Sequence, residues 1–229
     1  MIDHARDLES VQLATERLLA AVGELDNAAV TDQSRLPGWT RGHVLAHLAR
    51  NADALVNVLE GRPMYASAGD RDADIERGAP RPLDVQLADL RASADRFRAA
   101  GAAPADWSRT VELRNGVTDS ASRVPFRRWV EVELHHVDLG IGYELEDLPE
   151  EFKEREIDFL AERFGGHKDV PSTELRTEDG RIRTTGGGAE GGPVAVEGTA
   201  ADLLGWLAGR RDGSGLVVKG GPLPSLPPL

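Results

Sequence analysis

The sequence predicts an α+β chain in two parts: a four-helix bundle over residues 1–145, then a small α/β domain over 146–229. Three observations carry that reading. Apolar residues recur at three- and four-residue spacing as far as Ile141, which is helical periodicity. After Ser172 short apolar runs alternate with glycine clusters, which is the signature of strands and turns. The chain shows no internal repeat, and its 229 residues are enough for one large domain or two modest ones with a real core.

Taken in order, Val11, Leu13, Leu18, Leu19, Val22 and Leu25 form the apolar stripe of a first helix ending near Asp26-Asn27. Leu36-Pro37-Gly38-Trp39 is a turn, and Thr40 is placed to cap a second helix from about Arg41 to Glu60. That helix turns Leu45, Leu48, Leu55, Val56 and Leu59 to the core, and Gly61-Arg62-Pro63 stops it. The polar segment Ala66 to Arg81 reads as a mobile loop or short irregular helix. A third long helix starts at Pro82 with Leu83, Leu87, Leu90, Ala94 and Phe97 in register. Trp107–Leu113 and Val117–Val124, joined at Asn115-Gly116, suggest a short hairpin. Pro125 suits the first turn of a fourth long helix reaching Ile141.

In the second part a helix is expected over Pro149–Phe164, and strands over Ser172–Thr177, Arg181–Thr185 and Pro193–Glu197. Gly186–Gly188 and Gly191-Gly192 mark turns between them. A helix over Thr199–Ala208 and a strand over Gly215–Lys219 complete the part. The glycine-rich stretch lacks the Lys-Ser/Thr of a phosphate loop, so it reads as turns and linkers.

Composition excludes several functions. A formal charge of −12 disfavours a nonspecific nucleic-acid binder, whose affinity would rest on basic patches. No apolar stretch approaches a membrane span, and no secretory leader is evident at the start. Cysteine is absent, so no disulfide, zinc ribbon or cysteine nucleophile is available; the expected compartment is the reducing cytoplasm. Any thiol chemistry would need a separate small-molecule thiol.

The chemistry-bearing residues lie in two helical stretches, Gly42–His47 (G-H-V-L-A-H) and Glu131–Asp138 (E-V-E-L-H-H-V-D). Glu131 and His135, four apart, share a helical face. A histidine from the second helix would complete a two-His, one-carboxylate set, which suits Zn²⁺ and leaves a coordination position open. His47 lies nearer the leucine stripe and is the better inward-pointing candidate; His43 lies almost opposite, toward solvent. Glu133 and His136 offer a competing pair, because three-residue spacing also aligns side chains. Isolated helical histidines are mostly surface or structural residues, but buried carboxylates and imidazoles are costly unless paired or bound to metal.

Three segments resemble the mycothiol-dependent maleylpyruvate isomerase family: Leu36–Leu55 (L-P-G-W-T-R-G-H-V-L-A-H-L-A-R-N-A-D-A-L), Trp129–Gly140 (W-V-E-V-E-L-H-H-V-D-L-G) and Leu203–Arg210 (L-L-G-W-L-A-G-R). The resemblance spans nearly the whole chain. It implies a DinB-like four-helix bundle followed by a C-terminal α/β (sterol-carrier-like) domain. It also implies that His47, Glu131 and His135 bind a divalent metal, usually zinc. Asp138 follows the family's H-x-x-D pattern, which implies a hydrogen bond to a ligand, a helix-end role or structural bracing. The family's C-terminal arginine falls on Arg210, with Arg211 one residue away, as a clamp for a carboxylate of substrate or thiol cofactor. Arg50 and Asn51 lie near the second-helix histidine without an assigned role.

The implied activity is cis–trans isomerisation of maleylpyruvate to fumarylpyruvate, in gentisate degradation, with mycothiol as cofactor. A zinc-activated thiolate would add to the electron-poor double bond, rotation would follow, and elimination would return the trans isomer. The partners implied are thus a small dicarboxylate and a low-molecular-weight thiol. A thiol S-transferase or detoxification enzyme would use the same activated thiolate, and a regulatory module could use the bundle for metal or ligand binding alone.

Overall fold

The computed structural model describes residues 3–103, 105–189 and 192–228. It divides into two compact units, with the break between Tyr143 and Glu144. Gly191, one of the expected turn glycines, lies outside the described residues.

The first unit is built on four long helices: α1 (His4–Gly23), α2 (Arg41–Leu59), α4 (Leu83–Ala102) and α5 (Val124–Asp138). Helix α1 packs on α4 and α5, and α2 packs on α4 and α5, so the four enclose one core. Leu18, Leu45, Leu48, Leu55, Phe97 and Val132 fill it, each almost fully buried. Caps set the helix starts. Asp3 accepts from the Arg6 amide at 3.1 Å, and the Asn27 side chain accepts from the Leu83 amide at 2.8 Å. Pro125 occupies the first turn of α5.

Two sequence expectations change here. Leu13 is 58% exposed and leaves the first-helix stripe. It stands two residues from Val11, about 200° around the helix, and the inward set is Val11, Ala14, Thr15, Leu18 and Val22. Helix α1 also stops at Gly23, because Asp26 instead caps a 3-10 turn, accepting from the Ala29 amide at 3.0 Å.

The polar segment forms a regular helix, α3 (Ala68–Gly78). Ser67 caps it, its hydroxyl accepting from the Asp70 amide at 3.2 Å. Ile75 and Ala79 are its buried anchors. Its C-terminal end presses on α2 at Gly42, where a Cβ would stand 2.1 Å from the Ala79 carbonyl oxygen. Gly42 is therefore what allows the contact. A two-stranded hairpin, β1 (Thr110–Glu112) and β2 (Thr118–Ser120), precedes α5, with Asn115 and Gly116 at positive φ in its turn.

The second unit pairs α6 (Glu150–Phe164) and α7 (Ala200–Leu207) with a four-stranded sheet of order β4-β3-β5-β6. Strand β3 (Thr173–Thr177) is antiparallel to β4 (Ile182–Thr185) and parallel to β5 (Val194–Gly198). Strand β6 (Val217–Lys219) runs antiparallel to β5. Leu175, Val194 and Val196 face inward beneath α7, whose Leu203, Leu204 and Leu207 are buried.

Candidate metal centre

Helix α2 brings His47 to the bundle interior, where it is 5% exposed. The cap that starts the helix consumes the other histidine. Thr40 accepts from the His43 amide, and the Thr40 amide donates to His43 Nδ1 at 3.2 Å. His43 is thus half-buried as a capping partner instead of projecting into solvent, and its Nε2 lies 3.5 Å from Glu76.

On α5 the two competing pairs separate cleanly. Buried Glu133 accepts from the Arg17 guanidinium, from Trp129 Nε1 at 2.9 Å and from the Tyr143 hydroxyl at 2.9 Å. His136 stacks on Tyr143, ring centroids 4.0 Å apart. That face of α5 is a packing network.

The other face meets α2. Glu131 Oε2 lies 2.9 Å from His47 Nε2 and 3.2 Å from His135 Nε2. The two imidazoles stand nearly perpendicular, 84° apart, with centroids separated by 4.7 Å. Among the described residues, His47, Glu131 and His135 are the group whose ligand atoms all lie within 4.8 Å of one another. Asp138, fully buried, accepts from His135 Nδ1 at 2.8 Å, which leaves Nε2 as the nitrogen turned to Glu131. Two imidazole nitrogens and one carboxylate oxygen are a donor set for a divalent metal of the zinc type. The Glu131 side chain remains 32% exposed, so the cluster is approachable from outside.

Electrostatics agree with ligation. Burial drives the His47 pKa down to about 4 despite the neighbouring Glu131, so this ring is neutral at physiological pH. Burial opposes charge on Glu131 as well, but hydrogen bonds from His135 and His47 outweigh it and hold the carboxyl well below its ordinary value. For His135 burial works downward, and its bonds to Asp138 and Glu131 prevail, raising the pKa.

Sequence reasoning overlooked several residues around this cluster. Arg71 of α3 places Nη2 3.3 Å from His47 Nδ1. It also lines a cavity of about 520 Å³ between the Gly61–Ser67 connection and the β1–β2 hairpin. Arg62, Arg109 and Arg114 line the same cavity, with Glu112 as its one acidic residue. Tyr65 joins them, its phenol pKa raised by burial against the opposing pull of Arg71. Arg128, almost fully buried one turn before Glu131, donates to the Leu48 carbonyl at 2.9 Å and to Asn51 Oδ1 at 2.8 Å. Burial lowers its pKa to about 10. Asn51 thus anchors a buried arginine, while Arg50 bridges Asp89 and Asp53. An arginine one turn from the candidate glutamate was the available signal for Arg128. Arg71 had none, because its segment carried no apolar stripe.

Arg210 and Arg211 follow α7 in the second unit, after Gly209 at φ +69° closes the helix. Arg211 bridges Asp202 and Glu146, each at 2.6 Å, and Gly205 leaves room for its stem. Arg210 donates to the Ala208 carbonyl at 2.7 Å.

Fold and centre together define a class: a helical bundle with an interior His–Glu–His cluster able to hold a metal ion, joined to a small α/β unit. Residues 11–140 match the family model described as mycothiol maleylpyruvate isomerase N-terminal domain, and residues 147–228 match that described as MDMPI C-terminal domain. The chain belongs to the mycothiol maleylpyruvate isomerase family. Among solved structures it resembles a mycothiol-dependent maleylpyruvate isomerase, with TM-score 0.89 and 27% identity over 99% of this chain and 97% of that one. A histidine-to-alanine mutant of that enzyme matches with the same values. No curated protein matches the sequence. Among the described residues no helix is long and apolar enough to cross a membrane.

Proposed function

We propose that this chain is a metal-dependent, mycothiol-dependent isomerase that converts maleylpyruvate to fumarylpyruvate. The observation that supports it most is the convergence of His47, Glu131 and His135 beside a cavity rich in arginine, in a chain with no thiol of its own. His47, Glu131 and His135 are the proposed ligands of a divalent ion, with zinc the best fit to their donor atoms. An ion bound there lowers the pKa of a coordinating thiol and so supplies thiolate at neutral pH.

The remaining work falls to the protein. Asp138 fixes the tautomer and orientation of His135. Cavity arginines offer a dianionic substrate complementary charge within an acidic protein, and hold its double bond in place for attack. Thiol addition to that bond makes it single, rotation follows, and loss of the same thiol returns the trans isomer without consuming cofactor. Of the two candidate arginines of the second unit, Arg210 is the proposed carboxylate clamp, because it stands where the resembling segment L-L-G-W-L-A-G-R ends on the family's C-terminal arginine.

The test is an isomerase assay on chelated and metal-restored protein, with maleylpyruvate and a generic alkylating electrophile as parallel substrates. Isomerisation that requires both mycothiol and metal is the expected outcome. Conjugation of the electrophile without isomerisation would reassign the chain as a thiol transferase.

A further inference from the structure

The two candidate ligand histidines are prepared differently. A neutral imidazole carries one N–H, and its ligating nitrogen must be the bare one, so the other nitrogen must be the donor. For His135 this is already arranged: Nδ1 faces the Asp138 carboxylate at 2.8 Å, an acceptor, and Nε2 turns to Glu131. His47 also turns Nε2 toward Glu131, at 2.9 Å, but its Nδ1 meets Arg71 Nη2 at 3.3 Å. A guanidinium only donates. Arg71 at that position makes Nδ1 the acceptor and keeps the proton on Nε2, the atom that has to be bare. Among the described residues no carboxylate or carbonyl bonds His47 Nδ1.

Arg71 also has somewhere else to go. Its other terminal nitrogen, Nη1, lies 2.7 Å from Asp72, a residue on the surface of α3, and its side chain is 14% exposed on the wall of the arginine-rich cavity. An anion entering that cavity finds four guanidinium groups, Arg62 already paired with Glu60 and Arg71 with Asp72, so that the wall stays net positive with Glu112, Glu60 and Asp72 counted against them. The anion therefore draws Arg71 by a charge-assisted contact stronger than a 3.3 Å bond to a neutral ring.

We propose that Arg71 is a positioning residue that couples anion binding in the cavity to metal binding at His47. With the cavity empty it competes with the metal for the ring. With a dicarboxylate present it swings onto the anion, Nδ1 takes the proton, and Nε2 is released for ligation. Linkage makes the effect mutual, so metal and anion each tighten the other. The idea rests on the reading of His47 as a metal ligand.

The experiment is Co²⁺ titration of the metal-free chain, followed by the d–d absorption of the ion and by calorimetry, with and without saturating maleate. Arg71→Met should bind Co²⁺ about tenfold more tightly than the native chain, and Arg71→Gln, which can offer an acceptor to Nδ1, at least as tightly. Maleate should tighten Co²⁺ binding about fivefold in the native chain and leave both variants unmoved. Unchanged or weaker Co²⁺ affinity in both variants overturns the coupling. So does a maleate effect of equal size in native chain and variants, since that would be maleate ligating the ion directly. In either case stoichiometric binding that is lost in His47→Ala leaves the site assignment standing. Absence of Co²⁺ binding by the native chain removes the site assignment, and the coupling with it.

Discussion

Asp138 sets how His135 presents its ring. Its carboxylate accepts from Nδ1–H and holds the ring so that Nε2 faces Glu131. The same bond raises the His135 pKa, and a protonated imidazole cannot ligate. The sign follows directly. Metal affinity should rise with pH until the raised His135 pKa is passed and then level, while His47, at about 4, contributes no proton at neutral pH. Replacing Asp138→Asn should therefore do two separable things. It should weaken metal binding by about 10- to 100-fold at high pH, through loss of orientation, and it should move the pH dependence to lower pH. Metal titrations between pH 5.5 and 8.5 read both; an unshifted profile with native affinity would show that Asp138 only packs. At this scale the sequence was partly legible. Spacing left Glu131/His135 and Glu133/His136 equivalent, because both pairs lie on one helix and their difference is in what α1 and α2 bring to each face. Arg17, Trp129 and Tyr143 occupy the Glu133 side, and His47 meets the other.

Among the elements, the long helices were legible because each carries a stripe and a start signal that agree. Thr40 before α2 and Pro125 in α5 are examples. Helix α3 was only partly legible, as a mobile loop or short irregular helix, because alternating charges hide it and it rests on two buried anchors, Ile75 and Ala79. Ser67, capping the Asp70 amide, was its one local signal. The element that the sequence left between mobile loop and short irregular helix is the one that carries Arg71 to His47. Its seat on α2 depends on Gly42, since a Cβ there would overlap the Ala79 carbonyl oxygen and crowd Val30. Gly42→Ala should cost about 1–3 kcal/mol of stability in urea unfolding, through overpacking against backbone. It should also speed amide exchange over residues 68–79 more than elsewhere, because the strain falls on the α3 end. Native stability with native exchange would mean that α3 is not held there.

For the molecule as a whole, the presence of a sheet-containing second unit followed from the change of apolar period between Phe164 and Ser172. The strand positions followed too, because glycine-bounded runs such as Ser172–Thr177 leave little else to form. Negative charge at the level of the chain gave no hint of a cavity lined by four arginines, since those residues come from separate segments that only folding assembles. The absence of cysteine was informative: no side chain of this sequence can bring a thiol to the cluster of His47, Glu131 and His135. The most direct measurement is metal content and calorimetric affinity of the native chain beside His47→Ala, with circular dichroism to show both folded. One divalent ion per native chain and none in the variant is the expected result. A folded His47→Ala chain that keeps tight one-to-one binding, or a native chain that takes up no divalent ion, would contradict it.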